Sequence, residues 1–396
     1  MNSLNLEPGT PTRLEIKFDK DITNSLKLLL KLSELPTSPP IHHSNPWDLG
    51  IELSWLKKLK ERLESDDWRV QELEGRINKY PNYFVRMKAS SNEDERELVD
   101  VHFLHVRSSR LDAIPLVMQH GWPGTFWDFH KVIEPLVEPP LSQPAFHLII
   151  PSLPGFFLST HPKHREWGLV ENAKLIHRLV TEVLGYDKYA GQAGDWGYTV
   201  FHVIGNLYPT QVPLIHFNGF VCPPVAGIPE SSFTERERRA LRRNKHFQES
   251  GSGYFQLQST KPFTIGYCLQ SSPLGQLAYI GEKFQACSDP TTLDDNDVLD
   301  TVALYYLSRS FATSVLIYQE YMKIRSEMPA EKVKSTMGFT LFPYEILGQP
   351  KAYLEAIGPL AFYKERSVGG HFPALDNPEG LVEDVRDFIG KNWSAK

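Results

Sequence analysis

A chain of 396 residues, 41% of them hydrophobic, is long enough to bury a substantial core, either as one large domain with insertions or as two domains. Its formal net charge of -6 argues against a nucleic-acid partner. The three cysteines, Cys222, Cys268 and Cys287, lack CxxC spacing, which points to a reducing compartment and to neither a disulfide framework nor a zinc site. Residues 1–20 are polar, with no apolar core of a secretory signal. No apolar run approaches the ~20 residues of a membrane helix, so the expectation is a soluble, cytoplasmic protein without a membrane anchor.

Residues 13–18 read as a short strand and 22–35 as an amphipathic helix, followed by a proline-rich stretch at 35–46 and a second helix over 51–64. His42 and His43 could suggest a metal pair. Adjacent side chains point apart, however, and no further ligand cluster follows, so no metal is expected. From Leu98 the pattern changes. Buried strands are predicted at 101–106, 114–119, 146–150, in the run into Asp195, and at 214–217, 338–342 and 361–365. Helices over 173–184, 199–207 and 380–388 alternate with them. Such alternation predicts an α/β architecture with a mostly parallel sheet, whose site lies beyond the C-terminal ends of the strands. Residues 223–326 break the alternation with helical runs such as 235–245, 297–308 and 311–324. They read as an inserted helical cap, which excludes water and adds side chains from above.

The run Tyr189-Ala190-Gly191-Gln192-Ala193-Gly194-Asp195-Trp196-Gly197 has the grammar of a nucleophile elbow: small, x, nucleophile, x, small, on a tight strand-to-helix turn. The elbow usually carries serine; here it carries Asp195. A carboxylate is already ionised near neutral pH, and a helix N-terminus favours the anion. It is poor at displacing amines from acyl centres but attacks saturated carbon bearing a leaving group or a strained ring, giving an ester that water then hydrolyses.

Three further motifs fall after predicted strands. His120-Gly121-Trp122-Pro123-Gly124 follows 114–119 and could turn the Trp122 N–H toward an oxygen, with the Trp196 N–H as its partner in an oxyanion hole. His371, in Ser367-Val368-Gly369-Gly370-His371-Phe372, comes last in the chain, where the base of this architecture belongs, and would activate the hydrolytic water. Its carboxylate partner is assigned to Glu345, just past the strand at 338–342. The rivals are Glu365, within a predicted strand, and Asp376, beyond His371. A phenol is suited to stabilising the oxygen of an opening ring, but the residues alone leave Tyr254, Tyr267, Tyr279, Tyr305, Tyr306, Tyr318 and Tyr321 open.

With these motifs in order, the chain resembles the microsomal-type epoxide hydrolases of the α/β-hydrolase superfamily, and most of all their soluble fungal branch. The resemblance rests on His120–Gly124, on Gly194-Asp195-Trp196-Gly197, and in the cap on Ser259-Thr260-Lys261-Pro262, Ser271-Ser272-Pro273 and Gly281-Glu282-Lys283-Phe284. Phe342-Pro343 and Gly369-Gly370-His371-Phe372 complete it. It implies an N-terminal region (1–98) wrapping core and cap, an α/β-hydrolase core in two parts (99–222 and 327–396), and a lid (223–326) carrying two ring-opening tyrosines, matched here by Tyr254 and Tyr318. It also implies an alkyl-enzyme mechanism with Asp195 as nucleophile, His371 as base, Glu345 as acid, and the Trp122 and Trp196 N–H groups as oxyanion donors. No cofactor is implied. The membrane-bound relatives' N-terminal anchor has no counterpart here, and Gln319 stands where the family more often has Lys or Arg.

The expected partner is a small epoxide, apolar or aromatic given 22 Phe and 8 Trp, and a homodimer is a common assembly for such enzymes. A haloalkane dehalogenase also uses an elbow Asp followed by Trp, but the paired cap tyrosines and the N-terminal region favour an epoxide. An epoxide-opening cyclase would keep every residue named, and a non-catalytic binding protein would be expected to have lost some.

Overall fold

The structure, a computed structural model, describes residues 7–41, 44–90, 97–163, 167–325 and 332–394; the His42-His43 pair lies outside them. A nine-stranded sheet runs through the molecule in the order β1-β2-β3-β5-β4-β6-β7-β8-β9. Its strands are β1 (Thr12–Leu14), β2 (Asn82–Lys88), β3 (Leu98–Val106), β4 (Ile114–Gln119), β5 (Phe146–Pro151), β6 (Ala190–Ala193), β7 (Leu214–Phe217), β8 (Thr336–Leu341) and β9 (Leu360–Glu365). The strands β1, β2, β3 and β5 pair antiparallel in turn. From β5 onward, through β4, β6, β7 and β8 to β9, the pairing is parallel. The architecture is thus α/β with a mostly parallel sheet.

The parallel strands are nearly continuous apolar runs because both sheet faces are covered. Every residue of β6 and β7 is buried. Helix Leu169–Arg178, continued by a wider turn over Leu179–Val183, packs on helix Asp195–Leu207. Helix Pro378–Val385 and the turn Arg386–Gly390 close the C-terminus, with Phe388 against the strand backbone at Gly338.

Between β7 and β8 the described chain is helical apart from loops: Glu235–His246, Gly253–Thr260, Pro262–Gln270, Pro273–Cys287, Asp295–Ser308, Phe311–Ser314 and Leu316–Ile324. The N-terminal segment does two things. Its strands β1 and β2 extend the sheet, while helices Lys20–Leu32 and Leu53–Glu64 pack on Pro273–Cys287 and Asp295–Ser308. Polar contacts reinforce that packing. The Trp55 indole N–H donates to Asp295 at 3.0 Å, the Trp68 indole N–H to Asp300 at 3.0 Å, and the Ser25 hydroxyl meets the Tyr306 hydroxyl at 3.0 Å. Two elements differ from expectation. Strand β2 and helix Val70–Asn78 occupy a stretch whose charges obscure both periods.

Candidate active site

Strand β6 ends at Ala193, Gly194 is extended, and helix Asp195–Leu207 starts at once. Asp195 has φ of +47°, a left-handed conformation that costs a non-glycine residue about 1–3 kcal/mol and survives only where its surroundings enforce it. One enforcing contact is visible at Gly197. A Cβ there would stand 2.3 Å from the Gln119 carbonyl oxygen, so only glycine lets the helix approach the end of β4 so closely. The turn thrusts the Asp195 carboxylate to the C-terminal end of the sheet and onto the first turn of the helix, where N–H groups have no intrahelical acceptor. The Trp196 N–H is one of these.

The loop after β4 is shaped by His120. Its Nδ1 donates to the Gly121 carbonyl at 3.0 Å and its Nε2 accepts the Leu153 N–H at 3.2 Å. Burial pushes its pKa down to about 4, so the ring is a neutral strut. The loop thereby turns the Trp122 N–H onto Asp195 Oδ1, at 2.7 Å.

His371 follows the turn after β9 and is buried. Its backbone N–H is anchored on the Cys287 carbonyl at 2.8 Å. Its Nε2 lies 3.1 Å from Asp195 Oδ2 and its Nδ1 2.7 Å from Glu345 Oε1. Glu345 is fully buried, and the same Oε1 accepts the Ile346 and Leu347 N–H groups at 2.8 Å each. Burial opposes charging of the His371 ring, but the Glu345 and Asp195 carboxylates outweigh it and raise its pKa well above the ordinary histidine value. The rival acids lie elsewhere. Glu365 accepts from the Thr234 hydroxyl at 2.7 Å, and Asp376 accepts the Asp289 N–H at 3.1 Å.

The helices between β7 and β8 close over Asp195, leaving a cavity of about 360 Å³ that Asp195 shares with Tyr254 and Tyr318. Trp196, Phe247, Phe255 and Tyr321 add aromatic walls. The rings of Tyr254 and Tyr318 lie 5.8 Å apart and nearly perpendicular, and Tyr254 stacks on Trp122 at 5.5 Å. Burial pushes both phenols well above the usual tyrosine pKa, so both remain protonated donors. Of the other tyrosines, Tyr321 lines the same cavity. Tyr305 donates to the Gly124 carbonyl, Tyr306 is engaged by Ser25, Tyr279 packs edge-on to Trp122, and Tyr267 is exposed. Two residues that the motifs did not single out also belong to the site. Tyr198, one turn into the elbow helix, lines the cavity. Asn218, directly after β7, has its side-chain N–H₂ 3.4 Å from both Glu345 Oε2 and the His371 carbonyl. Its place at the C-terminal end of a parallel strand was a usable signal.

Two sequence-family models match: epoxide hydrolase N terminus over residues 11–129, and alpha/beta hydrolase fold over residues 114–250. A Stigmatella aurantiaca protein carrying an epoxide hydrolase designation is 34% identical over 387 residues, covering 95% of this chain and 84% of its own. Epoxide hydrolase 1 of Sus scrofa is 30% identical over 400 residues, covering 91% of this chain and 85% of its own. The solved structure of Aspergillus niger epoxide hydrolase superposes with a TM-score of 0.85 at 29% identity, covering 97% of each chain. Among the described residues, no helix is long and apolar enough to cross a membrane. With its N-terminal segment, its sheet and its inserted helices all accounted for by these relatives, the chain belongs to the epoxide hydrolase family of α/β-hydrolases.

Proposed function

We propose that the protein opens an epoxide to a vicinal diol in two steps, with Asp195 as the nucleophile. One observation carries this reading: a single carboxylate meets the Trp122 N–H through one oxygen and His371 through the other, and lines a cavity with two phenols. In the first step an Asp195 oxygen forms a bond to an epoxide carbon as the ring C–O bond breaks, and the Tyr254 and Tyr318 hydroxyls donate to the departing oxygen. In the second, water adds to Asp195 Cγ, His371 Nε2 takes its proton, and the Trp122 and Trp196 N–H groups stabilise the oxyanion. Glu345 holds the imidazole so that Nε2 faces the reaction, and stabilises the cation.

The aromatic lining of the 360 Å³ cavity supports an apolar, aryl-bearing epoxide as substrate. Residues 1–98 act in this reading as a clasp on a lid spanning 223–326, with the hydrolase core in the two segments 99–222 and 327–396.

A single turnover of a styrene-type epoxide with excess enzyme in H₂¹⁸O tests the reading. The first diol should carry unlabelled oxygen from Asp195, and the label should enter the Asp195 carboxylate. Labelled diol in the first turnover means that water attacks the ring directly and that Asp195 is not the nucleophile.

A further inference from the structure

Two cavities meet at Asp195. The larger, about 360 Å³, holds the tyrosines; the smaller, about 30 Å³, holds His371. Among the described residues Asp195 is the only one that lines both. A space of about 30 Å³ has room for roughly one or two waters, and none for an epoxide.

Its walls are polar in a particular way. Gln119 and Gln192, the former fully buried and the latter 1% exposed, both border it. The Gln192 side-chain N–H₂ donates to Asn218 Oδ1 at 3.0 Å, and that of Gln119 to the Pro151 carbonyl at 3.4 Å. Those acceptors fix the orientation of both amides, because a flipped amide would set oxygen against oxygen. Their carbonyl oxygens are left buried, with no hydrogen-bond partner among the described residues. A buried acceptor of this kind calls for a donor, and beside a cavity of this size the donor that fits is water. Asn218 in turn reaches Glu345, so the carboxylate that orients His371 also orients the Gln192 amide. The neighbouring Asp128 has its Oδ1 occupied by the Thr125 N–H at 3.0 Å, and burial pushes its pKa up to about 8. It therefore puts no second negative charge beside Asp195 at neutral pH.

We propose that this small cavity is the seat of the water that hydrolyses the Asp195 ester, and that Gln192, with Gln119 beside it, is a positioning residue that accepts a hydrogen bond from that water. The inference rests on the two-step reading above. The two steps then occur on opposite sides of one carboxylate, with the epoxide on the tyrosine side and water on the histidine side. The water oxygen bonds to Asp195 Cγ while one of its protons passes to His371 Nε2 and the other points at the Gln192 carbonyl. The tetrahedral adduct then breaks its ester C–O bond, and the departing diol oxygen takes a proton from the imidazolium. The carboxylic acid left on Asp195 returns its proton to His371.

The test separates the steps. The wild type and Gln192→Met, which keeps side-chain length but removes the acceptor, are mixed rapidly with a styrene-type epoxide. Tryptophan fluorescence (Trp122 and Trp196 flank Asp195) reports ester formation and decay, and mass spectrometry of the Asp195 peptide reports the adduct. Ester formation should stay within about threefold of wild type, while ester decay slows at least 30-fold and the adduct accumulates. Ala374→Val, which narrows the cavity from its apolar wall, should split the steps in the same direction and serves if Gln192→Met does not fold. Decay at the wild-type rate in the folded variants, or equal slowing of both steps, overturns the proposal. A wild type that forms no adduct and labels its first diol from solvent overturns instead the two-step reading beneath it.

Discussion

The Trp122 backbone nitrogen stands 2.7 Å from Asp195 Oδ1, across 73 residues of sequence. A loop from the end of β4 and an elbow from the end of β6 are brought together because these strands are direct neighbours in the sheet. Gly121 permits the contact, since a Cβ there would lie 2.0 Å from the same carboxylate oxygen. In Gly121→Ala the new methyl would also stand 2.5 Å from Asp195 Cβ, which side-chain rotation cannot relieve, so the loop after β4 must draw back from the elbow and carry the Trp122 N–H away from Asp195. The substitution should lower kcat by about 10²–10³-fold, the loss typical of one oxyanion donor. Steady-state kinetics beside a thermal unfolding curve check this, and an activity within threefold of wild type would sink it.

His371 carries a raised pKa because the two carboxylates flanking it outweigh its burial. In Glu345→Gln the imidazole should titrate at lower pH than in wild type, and Asp195→Asn should shift it in the same direction. Alkylation of Asp195 has the effect of the latter substitution, so forming the ester should itself release the His371 proton and create the base for the next step. The sign for stability follows. A raised folded pKa stabilises the protein fully below the unfolded value, about 6.5, and the contribution is lost as pH rises through the folded pKa. Glu345→Gln should thus cost more stability at pH 6 than at pH 10, and should lower kcat by about 10²-fold or more. NMR titration of the imidazole and urea melts at the two pH values measure both effects. An unmoved His371 titration would refute the coupling.

Much of this arrangement was legible in the residues. Strands β4 and β7 are apolar runs bounded by turn residues, and the elbow announces itself through Gly194 and Gly197. Glu345 could be chosen over Glu365, which lies within a strand, and over Asp376, which follows His371 in the chain, and its carboxylate is the one 2.7 Å from His371. The tyrosines could not be separated by pattern, because which phenol faces Asp195 depends on the crossing of helices far apart in sequence. Only the family resemblance singled out Tyr254 and Tyr318. Strand β2 escaped because Arg86 and Lys88 interrupt its alternation, although Arg86 is paired with Asp100 of β3 at 2.6 Å, a partner invisible to local pattern. Gln119 and Gln192 are buried amides at the ends of apolar strands, a signal that acquires meaning only beside the cavity they border.

Tyr254 and Tyr318 line the large cavity and not the small one, which divides their effect cleanly. Tyr254→Phe and Tyr318→Phe should each slow ester formation by about 10²-fold, the loss expected for a donor to a developing charge, and the double variant should slow it further. Ester hydrolysis should be unchanged in all three. Since burial raises both phenols well above their ordinary value, neither should ionise below about pH 10, and ester formation should show no alkaline loss from this source. Rapid-mixing kinetics across pH resolve the steps; equal slowing of both would assign the tyrosines a structural role instead.

Asp300 ties the N-terminal segment to the inserted helices. It is fully buried on helix Asp295–Ser308, accepts the Trp68 indole N–H at 3.0 Å and pairs with Arg76 at 2.7 Å. Asp295, on the same helix, accepts the Trp55 indole N–H at 3.0 Å and pairs with Lys58 and Arg62, all in a partly exposed setting. The two contacts should differ in worth. Asp300→Ala strands a buried indole N–H and should cost about 1–3 kcal/mol, whereas the half-buried Trp55 N–H can turn to water and exposed ion pairs contribute about 0–1 kcal/mol, so Asp295→Ala should cost less. Because helices Lys20–Leu32 and Leu53–Glu64 press on the helices that carry Tyr254 and Tyr318 only indirectly, Asp300→Ala should also raise protease cleavage in the first 80 or so residues before kcat changes. Urea melts of both variants, with limited proteolysis, make the comparison; equal costs at the two positions would show that burial of the Trp68–Asp300 bond contributes nothing to holding the N-terminal segment in place.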